Sequence, residues 1–327
     1  MSDPVVVSLN DLKTGISDEI LTKAFGPDSL GIIVVKDLPE EYLQLRLDVL
    51  KSISTLANLP EADLGKLENP DSLWLTGWSL GKEKLVNSNY DFNKGSYYIN
   101  CAFHNDPNLE GPTKELVDKF PNYPTYTHPN IWPDLETFEL DTKRLCNLII
   151  DVAEHVAINC DKYIGKIYSD YEPGFLKRIV KESTCTKARL LHYFPVKDDA
   201  DSWCGEHLDH SCLTGLTSAL FLDESKSLLH NLDKSPDPES GLYIKNRQGE
   251  TIKVNIPSNC LAFQSGSALE EISKRKFKAV PHFVKGTNLP NIARNTLAVF
   301  CQRNLDEQID DNENFAQYSD RILKNNH

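Results

Sequence analysis

The chain has little positive charge to spare. Its 35 Lys and Arg stand against 48 Asp and Glu, a formal net charge of −13. Nucleic acid and anionic membranes bind proteins through a Lys/Arg surplus, so neither is an expected partner. No basic stripe or recognised nucleic-acid module occurs. No run approaches the ~18 apolar residues of a membrane span. Met1-Ser2-Asp3-Pro4 lacks the basic region and apolar core of a secretory signal, and Lys324-Asn325-Asn326-His327 is no standard address tag. There is no Cys-x-x-Cys. The eight cysteines are scattered at 101, 146, 160, 185, 204, 212, 260 and 301, several inside apolar patterns where Cys acts as a small hydrophobe. The expectation is a cytoplasmic protein with reduced thiols, in which Cys204 and Cys212 pack and do not bind metal. Repeats and low-complexity tracts are also missing.

What is present is an ordinary folded composition, 40% hydrophobic and 25% charged. Val5-Val6-Val7 reads as a short strand, and residues 29–35 as a strand buried on both faces. Pro39 opens a helix with Leu43, Leu47, Leu50 and Ile53 at helical spacing. Residues 60–135, rich in Gly, Pro, Asn and aromatics, read as loops with short elements. A long amphipathic helix follows over 138–159, with Leu145, Leu148, Val152 and Val156 on one side and His155 beside them. After residue 185 the texture turns to short β runs at 188–194, 213–222, 242–245, 251–256, 260–263, 277–280 and 296–300, with a hairpin turn at Asn246-Arg247-Gln248-Gly249. Such spacing predicts a sandwich or jelly roll. The pattern is mainly β with helices, in one domain over 1–327: a mostly helical part, 1–184, and a jelly-roll core, 185–305. Residues 225–240 interrupt the β region as a polar surface insertion.

The chemistry concentrates at Gly205-Glu206-His207-Leu208-Asp209-His210. A His and an Asp two apart, at the head of a strand-like run, are expected on one face and close enough to hold a metal ion. The dipeptide alone carries no weight, because nine histidines and 48 acidic residues give about 1.3 His-x-Asp/Glu pairs by chance and two are present. His104-Asn105-Asp106 lies among turn formers and reads as a surface turn. His207 and Asp209 have a strand beneath them, a third candidate ligand in Val280-Pro281-His282-Phe283-Val284, and Arg294-Asn295-Thr296 beyond it. The bland alternative is a half-buried His bonded to its neighbouring Asp. Two His and one carboxylate on one side of a metal, with open positions opposite, are the ligand set of non-heme Fe(II) oxygenases.

In this order the motifs resemble the isopenicillin N synthase-like family of Fe(II)/2-oxoglutarate-dependent dioxygenases. Pro4 to Leu9 resembles its opening strand, Leu30 to Val35 its second strand, and Asn130-Ile131-Trp132-Pro133 its loop before the long helix. Arg189 to Pro195 resembles its Tyr-Tyr-Pro strand. His207-x-Asp209 with Leu213-Thr214, then Gly241-Leu242, Gly266, Ala279 to His282 and Arg294-x-Thr296, complete the series. The resemblance implies a double-stranded β-helix with the long helix packed on one sheet. It implies Fe(II) at His207, Asp209 and His282, and 2-oxoglutarate as cosubstrate with its distal carboxylate on Arg294 and Thr296. Further implications are O₂ and a small organic substrate as partners, succinate and CO₂ as products, and ascorbate as a reductant. Three departures stand out. Phe194 occupies the place of a tyrosine that reaches the cosubstrate, leaving that contact absent or supplied by His192 or another group. Gly266-Ser267 replaces a Gly-Asp turn, and the 225–240 segment widens the gap between the histidines, either as a lid over the site or as surface decoration. Hydroxylation, desaturation and ring closure remain open. So do an oxidase that uses no 2-oxoglutarate and a non-catalytic jelly-roll binding protein.

Overall fold

The structure, a computed structural model, describes residues 3–83, 90–195, 202–309 and 312–326. Its strands are β1 (Val5–Ser8), β2 (Ile32–Lys36), β3 (Gly77–Ser79), β4 (Lys94–Asn100), β5 (Lys187–Tyr193), β6 (Ser202–His207) and β7 (Leu213–Thr217). They continue with β8 (Leu220–Asp223), β9 (Asn231–Leu232), β10 (Gly241–Lys245), β11 (Thr251–Val254), β12 (Leu261–Ser265), β13 (His282–Lys285) and β14 (Ile292–Cys301). The larger sheet runs β1-β2-β12-β7-β14-β5-β4-β3, with β8 beside β14 and β9 beside β8. The smaller runs β11-β10-β13-β6. Side chains from the two inner faces meet in a shared cavity, the jelly roll expected from the sequence.

Strand alternation divides the larger sheet between two tasks. On β14, Ala293, Leu297, Val299 and Cys301 turn toward the helices, while Arg294, Thr296, Ala298 and Phe300 line the cavity. The helix Phe138–Ile167 packs on the outer face through Leu145, Ile149, Val152 and Val156. It continues past the expected end at Asn159, because Ile164 extends the buried stripe. Gly215 on β7 lets it approach: a Cβ there would lie 2.4 Å from the Ile149 side chain.

Several expectations are corrected. The helix Tyr42–Ala57 buries Leu45, Val49, Leu50 and Ile53, rotating the apolar stripe away from Leu43, which is 48% exposed. The run 213–222 is broken at Ser218-Ala219, whose carbonyls accept from the buried Arg46 guanidinium. The segment 277–280 is not a strand. Phe277 packs instead against Phe25 and Tyr163, and pairing begins at His282. Within the stretch read as loops with short elements, β3 and β4 extend the sheet beyond β5, so the N-terminal half completes the main sheet. All eight cysteines are free, and only Cys204 is not fully buried. Among the described residues no helix is long and apolar enough to cross a membrane.

Candidate active site

His207 closes β6 and His282 opens β13, and the two are direct cross-strand partners with ring centroids 4.3 Å apart. Asp209 is not on the same strand as His207, contrary to the sequence expectation. The strand ends at His207, and Asp209 lies in the connection to β7. It is fixed there by its backbone: Ser267 N and Oγ both donate to the Asp209 carbonyl, at 2.8 and 3.1 Å. Gly266 permits this turn, since a Cβ at that position would sit 1.9 Å from the Ser211 carbonyl oxygen. Ser267, in the departing Gly266-Ser267 turn, thus anchors the Asp209 backbone.

Among the described residues, His207, Asp209 and His282 form the one group of three whose donor atoms lie within 4.8 Å of one another. Each histidine Nε2 is 3.7 Å from Asp209 Oδ1. Donors bound at right angles to one ion at about 2.1 Å stand about 3 Å apart, so the trio is slightly open for a metal. The outer atoms are already engaged. His207 Nδ1 faces the Gly205 carbonyl at 2.8 Å and His282 Nδ1 that of Val280 at 3.4 Å, a pairing that protonates Nδ1 and leaves Nε2 with its lone pair inward. Thr214 donates to Asp209 Oδ2 at 2.7 Å, leaving Oδ1 for the ion. Burial alone would raise the Asp209 pKa, but the two histidines and Thr214 outweigh it and hold the carboxyl below its ordinary value. The donors fit a divalent iron with open positions.

Arg294 faces the same cavity, of about 1050 Å³. It is 5% exposed, and its Nε and Nη1 are buried with no hydrogen-bond partner. Burial lowers its pKa, and no acidic residue among those described pairs with it. A desolvated guanidinium lacking a carboxylate is costly unless a ligand supplies one. Thr296, on the same strand face, also lines the cavity.

Tyr193 is the residue paired with Arg294, and the guanidinium lies over its ring at 5.0 Å. Phe194 lies beyond the strand end and packs with the core on the helical side. His192 likewise points away, with Nδ1 2.7 Å from Asn295 Oδ1. Of these three residues, Tyr193 is the one that lines the cavity beside Arg294. His104 stands elsewhere, bonded to Asp151 of the long helix at 3.1 Å. Cys204 lines the cavity wall, 3.9 Å from His207 Nδ1.

No family model matches the chain, and no curated protein matches it by sequence. Solved structures do match. A Caulobacter crescentus protein assigned to the 2OG-Fe(II) oxygenase family aligns over 99% of this chain and 100% of its own, with a TM-score of 0.73 at 18% identity. The fold is that of the 2OG-Fe(II) oxygenases. A full-length Neurospora crassa protein in complex with alpha-KG aligns over 98% of this chain and 91% of its own, with a TM-score of 0.67 at 18% identity. The rice dioxygenase for auxin oxidation aligns over 99% and 96%, with a TM-score of 0.63 at 15% identity. Sequence reasoning passed over Ser267 and Tyr193. Ser267 lay hidden in a turn whose usual acid is absent, and Tyr193 in a strand whose pairing with Arg294 the sequence does not show.

Proposed function

We propose that the chain is an Fe(II)- and 2-oxoglutarate-dependent dioxygenase acting on a small organic molecule. The observation that carries this reading is the buried Arg294, whose Nε and Nη1 have no hydrogen-bond partner among the described residues, on the wall of the cavity that also holds His207, Asp209 and His282. His207, Asp209 and His282 would hold the iron, with Thr214 and the two backbone carbonyls orienting them. Arg294 would meet the distal carboxylate of 2-oxoglutarate with its fork of donors, and Thr296 would add a hydroxyl. Tyr193, stacked on the guanidinium, keeps it from swinging out of the cavity. The bound iron supplies the activation of O₂ that couples decarboxylation of the keto acid to oxidation of substrate. The apolar wall formed by Leu191, Leu216, Phe221 and Val284 excludes water from that step.

The test is the charge-transfer band of the anaerobic Fe(II)/2-oxoglutarate complex, followed by succinate formation with Fe(II), O₂ and ascorbate. Arg294→Ala removes a charge-assisted contact worth about 1.5–3 kcal/mol. The apparent constant for 2-oxoglutarate is expected to rise roughly ten- to a hundredfold while iron still binds. Arg294→Lys should rescue only in part, since it keeps the charge and loses the fork. A wild type that binds no 2-oxoglutarate would remove this reading in favour of an oxidase.

A further inference from the structure

The cavity extends well past the site. 2-Oxoglutarate is far smaller than the ligands that fill pockets of roughly 300–1,000 Å³, so it takes up a minor part of 1050 Å³. Strand register shows where the rest lies. The metal end is marked by Thr214, opposite Phe300, and by His282, opposite Ile244. Six residues back along β14, Arg294 stands in one row with Tyr193, Phe221 and Leu232, the last from the 225–240 segment. On the smaller sheet, Gly241 begins β10 at this same end, and β11 ends there at Val254. The cavity continues beyond Arg294 to a second rim formed by Leu43, Gln44, Asp233, Lys234, Asn255 and Pro257, all exposed. The metal end is open as well, with the His207 side chain 43% exposed.

The two ends differ in charge. On the Arg294 side the lining holds four cations, Arg46, Lys234, Lys253 and Arg294, against two carboxylates, Asp233 and Asp237. Arg46 is buried and bonded to Ser218 and Ala219, at their carbonyls and the Ser218 hydroxyl, and among the described residues no acid pairs with it. The two lysines and two carboxylates at the rim cancel, so the surplus positive charge of this passage lies inside it, on the buried Arg46 and Arg294, where it draws in a dianion that a surface of net charge −13 repels. The segment read from sequence as a surface insertion is therefore part of a passage wall.

We infer that 2-oxoglutarate enters, and succinate leaves, through the opening rimmed by the 225–240 segment on the Arg294 side, leaving the metal-side opening to the organic substrate. This inference rests on the dioxygenase reading above.

Anaerobic stopped-flow mixing of the Fe(II)-loaded protein with 2-oxoglutarate reads both rate constants from the charge-transfer band. Gln44→Trp combined with Asn255→Trp narrows the rim without changing its charge or touching Arg294. Association and dissociation should both slow at least threefold, with the dissociation constant within twofold of wild type, because a narrowed passage alters the barrier and not the bound state. Lys234→Glu combined with Lys253→Glu should slow association about tenfold at low salt, the difference shrinking as salt screens the rim. Unchanged rates in both proteins overturn the passage, as does weaker binding through faster dissociation alone. Absence of the band in the wild type overturns the dioxygenase reading instead.

Discussion

Asp209 divides its two oxygens between tasks: Oδ2 accepts from Thr214 and Oδ1 faces both histidines. Removing the hydroxyl while keeping the shape, as in Thr214→Val, frees the carboxylate to turn, and outer-shell partners of this kind typically contribute 10–100-fold in metal affinity. Fe(II) titration of Thr214→Val should therefore show about that weakening, and wild-type affinity would mean that the Asp209 backbone alone orients the group. His207→Ala, Asp209→Ala and His282→Ala should each abolish binding at stoichiometric metal, whereas His104→Ala and His210→Ala should not. Loss of metal in His104→Ala with retention in His207→Ala would reverse the assignment. At this scale the donors were legible because residue type and order survive in a sequence. Their orientation was not, since Thr214, Ser267 and the carbonyls of Gly205 and Val280 act through local geometry. Tyr193 shows the limit most sharply, as only cross-strand pairing with Arg294 reveals which aromatic faces the cavity.

Elements were readable where period and burial agree. The long helix and most of the C-terminal strands fall near their expected places because their apolar residues repeat with the period of the backbone. β4 escaped detection because its seven residues, Lys94 to Asn100, are all buried while including Lys94, Ser96 and Asn100, so polarity does not alternate with exposure. Lys94 is satisfied by Glu83 at 2.9 Å and Asp91 at 3.5 Å, partners that a hydrophobic pattern cannot anticipate. The pairing of helix to sheet hinges on one small residue. Gly215 has Ile149 and Phe263 against it, at 2.4 and 3.1 Å from a would-be Cβ. Gly215→Val forces the helix off the sheet or the ring out of place, and overpacking of this kind costs about 1–3 kcal/mol. Its urea midpoint should fall accordingly. An unchanged midpoint would show that the helix and sheet can separate at little cost.

At the scale of the whole molecule, a net charge of −13 describes the surface and hides an interior that contains uncompensated cations. Lys187 is one of these. It is 4% exposed, and its Nζ donates to the Leu75 carbonyl and to Asn100 Oδ1, each at 2.8 Å, tying β5 to the segment before β3 and to β4. Among the described residues no carboxylate pairs with it, and burial pulls its pKa down to about 7. The sign of the consequence follows from proton counts. Between about pH 7 and the ordinary lysine value near 10.4, the unfolded chain carries a proton at this position and the folded one does not. Stability gained from this group therefore rises with pH through that window and is lost as pH falls to about 7, with a slope of up to about 1.4 kcal/mol per pH unit. Other groups titrate in the same range, so the measurement is a comparison. Lys187→Met keeps the length, removes the proton and sacrifices two hydrogen bonds. The unfolding free energy of the wild type minus that of Lys187→Met should increase from pH 7 to pH 9, and parallel curves across that range would mean that Lys187 remains charged within the fold.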